Sequence, residues 1–349
     1  MPPKIILEPQ LDFRDVLIQP QRSNVHSRSQ VFLEKNLCFL NSRVFWEGIP
    51  ICAANMDTTG TFDVYNVLSK NNMLTAMNKF YSVDDYEKKS HFKLNWLHNE
   101  MFMVSVGISD AEFDKLIEIM GKVDCKWICI DVANGYMQSL LVFCQKVRKQ
   151  FPHKIIVAGN VCTGERVQEL LLYGGVDIVK VGIGPGSACT TRVKTGVGVP
   201  QLSAILECAD AAHKVHGHIM ADGGITCPGD MSKAFGAGAD FVMMGGVFAG
   251  HDENPGEVIE GEDGKKFKEF YGMSSKHAMN KHYGEMKKYR SSEGRHLIIP
   301  YKGPLQDTVD DYLGGLRSTC TYVGVDNIKD LENNTTFRVV GQQYNSKFL

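Results

Sequence analysis

The sequence lacks any apolar run approaching the length of a membrane span, and its opening carries Glu8, Asp12, Arg14 and Asp15 where a secretory signal needs an unbroken apolar core. A cytosolic protein with no membrane partner is expected. Net charge is scarce as well. The 38 basic and 40 acidic residues leave −2, which gives no global attraction for a nucleic acid polymer, so any anion must be held by a local site. The ten cysteines include no C-x2-C pair, which excludes the common zinc spacings and a small disulfide scaffold. Most of them are expected to be buried apolar filler. A dinucleotide fingerprint is also missing, because Gly182-x-Gly184 is not followed by a third glycine at the required spacing and no helix is expected to open there.

What is present is an alternation. Short apolar runs at Ile49–Ala54, Met73–Met77, Met101–Gly107, Trp127–Val132, Lys154–Ala158, Val176–Val181, His218–Ala221 and Phe241–Met244 read as eight strands. Helix-like segments fall between them at Ser109–Lys122, Met137–Gln150, Thr163–Tyr173, Pro200–Val215 and Pro228–Gly236. Ser109 and Thr163 are N-cap residue types with a carboxylate three or two positions later. Strands alternating with helices imply parallel pairing through right-handed crossovers, and eight such units close a barrel. The expected class is α/β, a (β/α)8 TIM barrel, with an open doubly wound sheet as the alternative. Residues 251–304, rich in Gly, Lys, Glu and Ser, read as a mobile flap inserted after the eighth strand of a single catalytic domain spanning 1–349. A last helix-like segment lies near Thr308–Leu316, and the stretch before Ile49 is expected to pack under or across the barrel.

Barrel enzymes build their sites from the loops after the strands. The sixth such loop, GIGPGSACTTRVKTGVG (Gly182–Gly198), reads as non-helical and surrounds Cys189 with hydroxyls and Arg192. Such a setting favours a reactive thiol over a buried filler. Ala221-Asp222-Gly223-Gly224-Ile225 and Met244-Gly245-Gly246-Val247 follow the seventh and eighth strands. Paired glycines there suit a phosphate, with tight turns into helices as the plainer reading, and Asp222 suits a ribose diol.

The cysteine loop, together with the ADGGI and GG loops, resembles the family that contains IMP dehydrogenase and GMP reductase. The stretches ANMDTTGTF (Ala54–Phe62), FYGMSSKHAMNKH (Phe270–His282), YRSSEG (Tyr289–Gly294) and GGLRSTCTYVG (Gly314–Gly324) look like the reductase branch. The segment joining the second and third strand candidates leaves no room for the regulatory insert that dehydrogenases usually carry. The resemblance implies reduction of GMP to IMP and ammonia by NADPH. Cys189 would attack purine C2, with Thr191 and Glu293 relaying protons. Substrate positions by resemblance are Asp222, Gly223, Gly224, Gly245, Gly246, Gly272, Met273, Ser274, Arg290, Ser291, Ser292 and Gly294. Cofactor positions are Ser27, Arg28, Lys79, Asp131, Val132, Ala133, Gly184, Met273, Tyr289, Arg290, Ser318, Thr319, Cys320 and Thr321, some of them from a neighbouring subunit of a homotetramer. A monovalent cation, K+, would be held at Gly184, Gly186, Cys189 and Arg192. The competing readings are a dehydrogenase without its insert, which would make XMP from IMP and NAD, and a nucleotide-binding barrel that no longer catalyses.

Overall fold

The computed structural model describes residues 4–91, 100–284, 289 and 291–341. Among these, eight parallel strands close a barrel. They are β1 (Phe45–Ala53), β2 (Met73–Ala76), β3 (Phe102–Val106), β4 (Trp127–Asp131), β5 (Ile155–Val161), β6 (Ile178–Val181), β7 (His218–Asp222) and β8 (Phe241–Met244). Each pairs with the next, and β8 returns to β1 through Val242–Ile51 and Met244–Ala53. Closure of that ring excludes the open sheet. The strands read as continuous apolar runs because both faces are covered, by the barrel interior and by the surrounding helices.

The helices follow in turn: α1 (Phe62–Leu68), α2 (Val83–His91), α3 (Asp110–Lys122), α4 (Gln138–Gln150), α5 (Gly164–Leu172), a short α6 (Thr191–Thr195), α7 (Gln201–His213) and α8 (Pro228–Gly236). Ser109 caps α3 as its spacing predicts, accepting from the Glu112 amide while the Glu112 carboxylate reaches back. Thr163 departs from expectation. It stands at the N-cap of α5 without a side-chain cap, because its hydroxyl is taken by Tyr136 at 2.9 Å. A second correction concerns the cysteine loop, which is not wholly non-helical: Thr190 and Thr191 open the five-residue α6, closed by Gly196 in the left-handed region.

The stretch before β1 does pack under the barrel. Lys35–Cys38 forms an antiparallel hairpin with the first half of β1, and this hairpin carries Phe39 and Trp46 into the floor. Phe39 meets Trp127 and His218 edge-on and stacks on Phe241, while Trp46 packs on Trp127 and Phe241. Aromatic pairs of this kind contribute about 0.5–1.5 kcal/mol each beyond their buried area. At the same end Asp240 takes His213 Nε2 and His218 Nδ1, each at 3.1 Å, and His213 also faces Glu332 at 3.6 Å. Hydrogen bonds to Asp240 and then Glu332 raise the His213 pKa to about 10.

The segment after β8 has a structure of its own. Three antiparallel strands, β9 (Ile259–Glu260), β10 (Lys266–Tyr271) and β11 (His296–Pro300), carry a helix α9 (Lys276–Tyr283) on the connection between β10 and β11. The helix α10 (Leu305–Val323) is much longer than Thr308–Leu316. Its buried stripe runs from Leu305 through Val309, Leu313 and Leu316 to Cys320 and Val323. The Gly314-Gly315 pair masks that stripe in the sequence, yet Gly315 is needed for packing, since a Cβ there would lie 2.5 Å from Pro228.

Candidate active site

The carboxyl ends of the barrel strands surround a cleft of about 720 Å³. Its lining includes Asp131 from the end of β4, Asn160 in β5, the Gly182–Cys189 loop after β6, Asp222–Gly224 at β7 and Gly245–Gly246 after β8. The flap supplies Gly272, Met273, Ser274, Glu293 and Gly294 to the same wall. This is where a (β/α)8 barrel gathers its reactive groups.

Cys189 is drawn into this wall by backbone pairing between its loop and the flap. Its residue bridges Gly294 in antiparallel fashion, the Thr190 amide donates to the Glu293 carbonyl at 2.8 Å, and the Arg295 amide donates to the Ala188 carbonyl at 2.8 Å. Gly272 allows the approach, because a Cβ there would lie 2.9 Å from the Ala188 carbonyl oxygen, and Gly294 fits against the flap's own turn, where a Cβ would lie 2.7 Å from the Ser275 nitrogen. The pairing sets three side chains in a row. Cys189 Sγ lies 3.2 Å from Thr191 Oγ1, and Thr191 Oγ1 donates to Glu293 Oε2 at 2.8 Å. A carboxylate only accepts, so the single threonine hydrogen points to Glu293 and the hydroxyl oxygen is left to accept from the thiol. The row can therefore pass a proton from sulfur to carboxylate and back.

On the opposite side Gly223 and Gly224 have φ of +86° and +83°, a conformation other residues rarely adopt, which turns two bare amides into the loop after Asp222. Beyond Cys189 the cleft continues along Lys79, Phe80, Ile108, Ser109, Val132, Ala133 and Met137. That second arm is largely apolar, with Lys79 and the Glu112 carboxylate among its lining.

A family model described as the IMP dehydrogenase / GMP reductase domain matches residues 10–345. The chain belongs to that family. Among its similar relatives are GMP reductase 1 of Homo sapiens, 53% identical over 347 residues with 99% of each chain covered, and GMP reductase of Photobacterium profundum, 54% identical with 97% of each covered. GMP reductase of Caenorhabditis elegans is 51% identical, covering 99% of this chain and 96% of its own.

The site positions expected from the sequence fall into three groups. Cys189, Thr191, Glu293, Asp222, Gly223, Gly224, Gly245, Gly246, Gly272, Met273, Ser274, Gly294, Lys79, Asp131, Val132, Ala133, Gly184 and Gly186 all line the cleft. Ser27 and Arg28 start a 3-10 turn packed on α10, the helix that carries Ser318–Thr321, and none of these six lines the cleft. Cys320 is fully buried in that helix, so its thiol faces the core and not a ligand. Tyr289 and Ser291 are exposed, and Ser292 caps α9 at the Lys276 amide. Arg290 lies outside the described residues. The Arg192 guanidinium is committed to Asp12 and the Val199 carbonyl, so only its backbone oxygen is left to offer a cation. Among the described residues no three His, Cys, Asp or Glu side chains form a metal cluster. A cation in the cysteine loop would take backbone oxygens.

Two groupings escaped the sequence reading. The first is a latch under the flap. Asp57 Oδ2, in the loop after β1, accepts from Tyr271 at 2.9 Å, Lys281 at 3.0 Å and His282 at 2.6 Å, while Asn78 donates to Oδ1 at 2.7 Å. Burial pushes the Asp57 carboxyl up, but the bonds from His282, Lys281 and Tyr271 outweigh it and hold the pKa below its usual value. The His282 ring lies flat on Phe80 with centroids 3.5 Å apart. The second is Lys180 inside the barrel, whose ammonium bonds Asp131 and reaches Asp222 at 3.3 Å. A lysine within the apolar strand Ile178-Val179-Lys180-Val181 was a visible signal.

Proposed function

We propose that this protein is a GMP reductase, converting GMP to IMP and ammonia with NADPH as the reductant in purine nucleotide interconversion. The observation that carries this reading is the row Cys189–Thr191–Glu293, assembled from the cysteine loop and the flap in a chain that aligns end to end with proteins named GMP reductase.

In this reading Cys189, deprotonated through Thr191, adds to purine C2. The 2-amino group then takes a proton from the same relay and leaves as ammonia, giving a covalent thioimidate. Splitting one displacement into two steps lowers each barrier. The second arm would hold NADPH, whose chemistry there would be hydride donation to C2, and Cys189 would then depart as the thiolate to leave IMP. The chain's own groups do the rest. Gly223, Gly224, Gly245 and Gly246 hold the phosphate, Asp222 accepts from the ribose, Gly272–Ser274 and residues 290–294 read the base, and Lys79 with Asp131–Ala133 orient the cofactor. Backbone oxygens at Gly184, Gly186, Cys189 and Arg192 suit a hard monovalent cation such as K+, whose part would be to shape the cysteine loop. Ser27, Arg28, Ser318, Thr319 and Thr321, outside the cleft, would meet the cofactor of a neighbouring copy in a homotetramer, while the Cys320 side chain stays in the core. No helix among the described residues is long and apolar enough to cross a membrane, and we assign the enzyme to the cytosol.

The test is product identity. With GMP, NADPH and potassium, chromatography should find IMP, matched by NADPH loss. XMP from IMP and NAD instead would reassign the chain to the dehydrogenase, and no turnover in either direction would favour a binding barrel.

A further inference from the structure

We infer that Lys180 is the positioning residue that holds Asp131, on the cofactor arm, and Asp222, on the nucleotide arm, so that one buried ammonium serves both ligand subsites. The inference rests on the nucleotide and cofactor arms as assigned above. Lys180 is 1% exposed and among the largest fully buried side chains. Burying an ammonium costs several kcal/mol unless it is paired and bonded. An apolar residue would fill the barrel interior at less cost, so the charge is held there by what it touches.

It touches both arms. Nζ bonds Asp131 Oδ1 and lies 3.3 Å from Asp222 Oδ2. Burial acts to lower the lysine pKa, yet the two carboxylates override it and hold the group above its usual value. Asp131 is kept below the ordinary carboxylate range, against the effect of burial, by Lys180 first and then by Lys79 and Asn55. Asn160 Nδ2 also donates to Asp222 Oδ2 at 2.8 Å. Both anchoring donors thus converge on one oxygen of Asp222, which leaves Oδ1 to accept from a ligand hydroxyl. The other titratable neighbours are the Cys129 and Cys52 thiols, which burial pushes up and keeps neutral.

Without the ammonium the two carboxylates, 32% and 20% exposed at the side chain, lose the one cation they share, so one of them is expected to take up a proton in the neutral range. That proton competes with the ribose hydroxyls for Asp222. The experiment is isothermal titration of the full-length enzyme with GMP between pH 7 and 8.5, where the phosphate stays dianionic. The wild type should bind with a flat profile. Lys180→Met should bind more weakly at pH 7 and recover roughly tenfold by pH 8.5 as the shared proton leaves. In Lys180→Met/Asp131→Asn only one carboxylate remains, so GMP affinity should return to within about threefold of the Asp131→Asn single variant, again without pH dependence. If Lys180→Met does not fold, that pair of variants carries the test, and a loss of GMP affinity of more than about tenfold between them overturns the inference. Unchanged binding in Lys180→Met, a uniform loss at every pH, or pH dependence that survives in the double variant also overturns it. A wild type that binds no GMP would instead overturn the assignment of the arms themselves.

Discussion

Cys189 is set apart from the other cysteines by its neighbours. Seven of the remaining nine are buried and two are exposed, and burial raises thiols such as Cys125 and Cys129 to about 12, where they are inert. Cys189 is half-buried in the cleft with a hydroxyl at 3.2 Å, and that hydroxyl is itself bonded to a carboxylate. Thr191→Ala or Glu293→Gln should each lower kcat by roughly 10²- to 10⁴-fold, the range for a positioned acid or base. Steady-state rates with GMP and NADPH check this, and a loss smaller than about tenfold would remove the relay from the mechanism. The cysteine was legible in the sequence because its loop is contiguous, with glycines, proline, threonines and the thiol within seventeen residues. Lys180 and Asp57 were not, because their meaning lies in distant partners: Lys180 is 49 positions from Asp131, and Asp57 is 225 positions from His282.

At the scale of elements, the flap is a small sheet and helix, and two of its fastenings border the cleft. One is the backbone pairing of Gly294 with Cys189; the other is the Asp57 latch, which holds Tyr271 at the end of β10 and Lys281 and His282 at the end of α9. Between these points lie Gly272–Ser274 and Glu293, so the latch sets the wall that faces the substrate. Asp57→Asn removes a buried carboxylate from three donors, a loss of about 1–3 kcal/mol. We expect kcat/KM for GMP to fall roughly 10- to 100-fold and hydrogen exchange to quicken in β10 and α9. Unchanged exchange there would mean that the latch does not hold the flap. Composition alone suggested a loop in this region because Gly, Lys and Glu obscure the short strands. The same masking shortened α10 at Gly314-Gly315 and hid α1 and α2, whose runs are brief.

The whole molecule is a barrel closed at the bottom by the N-terminal hairpin and walled on one side of its mouth by the flap. The eight strands were legible because parallel strands covered on both faces must be apolar throughout, whereas closure of the ring is a long-range property seen only in the β8–β1 pairing. Below the floor, the His213–Asp240–Glu332 cluster ties α7 to the C-terminal segment. The His213 pKa is raised from about 6.5 to about 10, so the cluster's contribution is complete below the lower value and lost as pH rises through the upper one. The thermal midpoint of the wild type should therefore fall between pH 7 and 10 more steeply than that of His213→Gln. Parallel curves would show that this histidine is not charged in the folded protein. Whether Cys189 carries out reductive loss of ammonia from GMP is decided by measuring ammonia released per NADPH oxidised, in the wild type and in Cys189→Ala. One ammonia per NADPH is expected in the wild type, and no turnover in Cys189→Ala although GMP still binds; ammonia release by Cys189→Ala at the wild-type rate would rule out the covalent route.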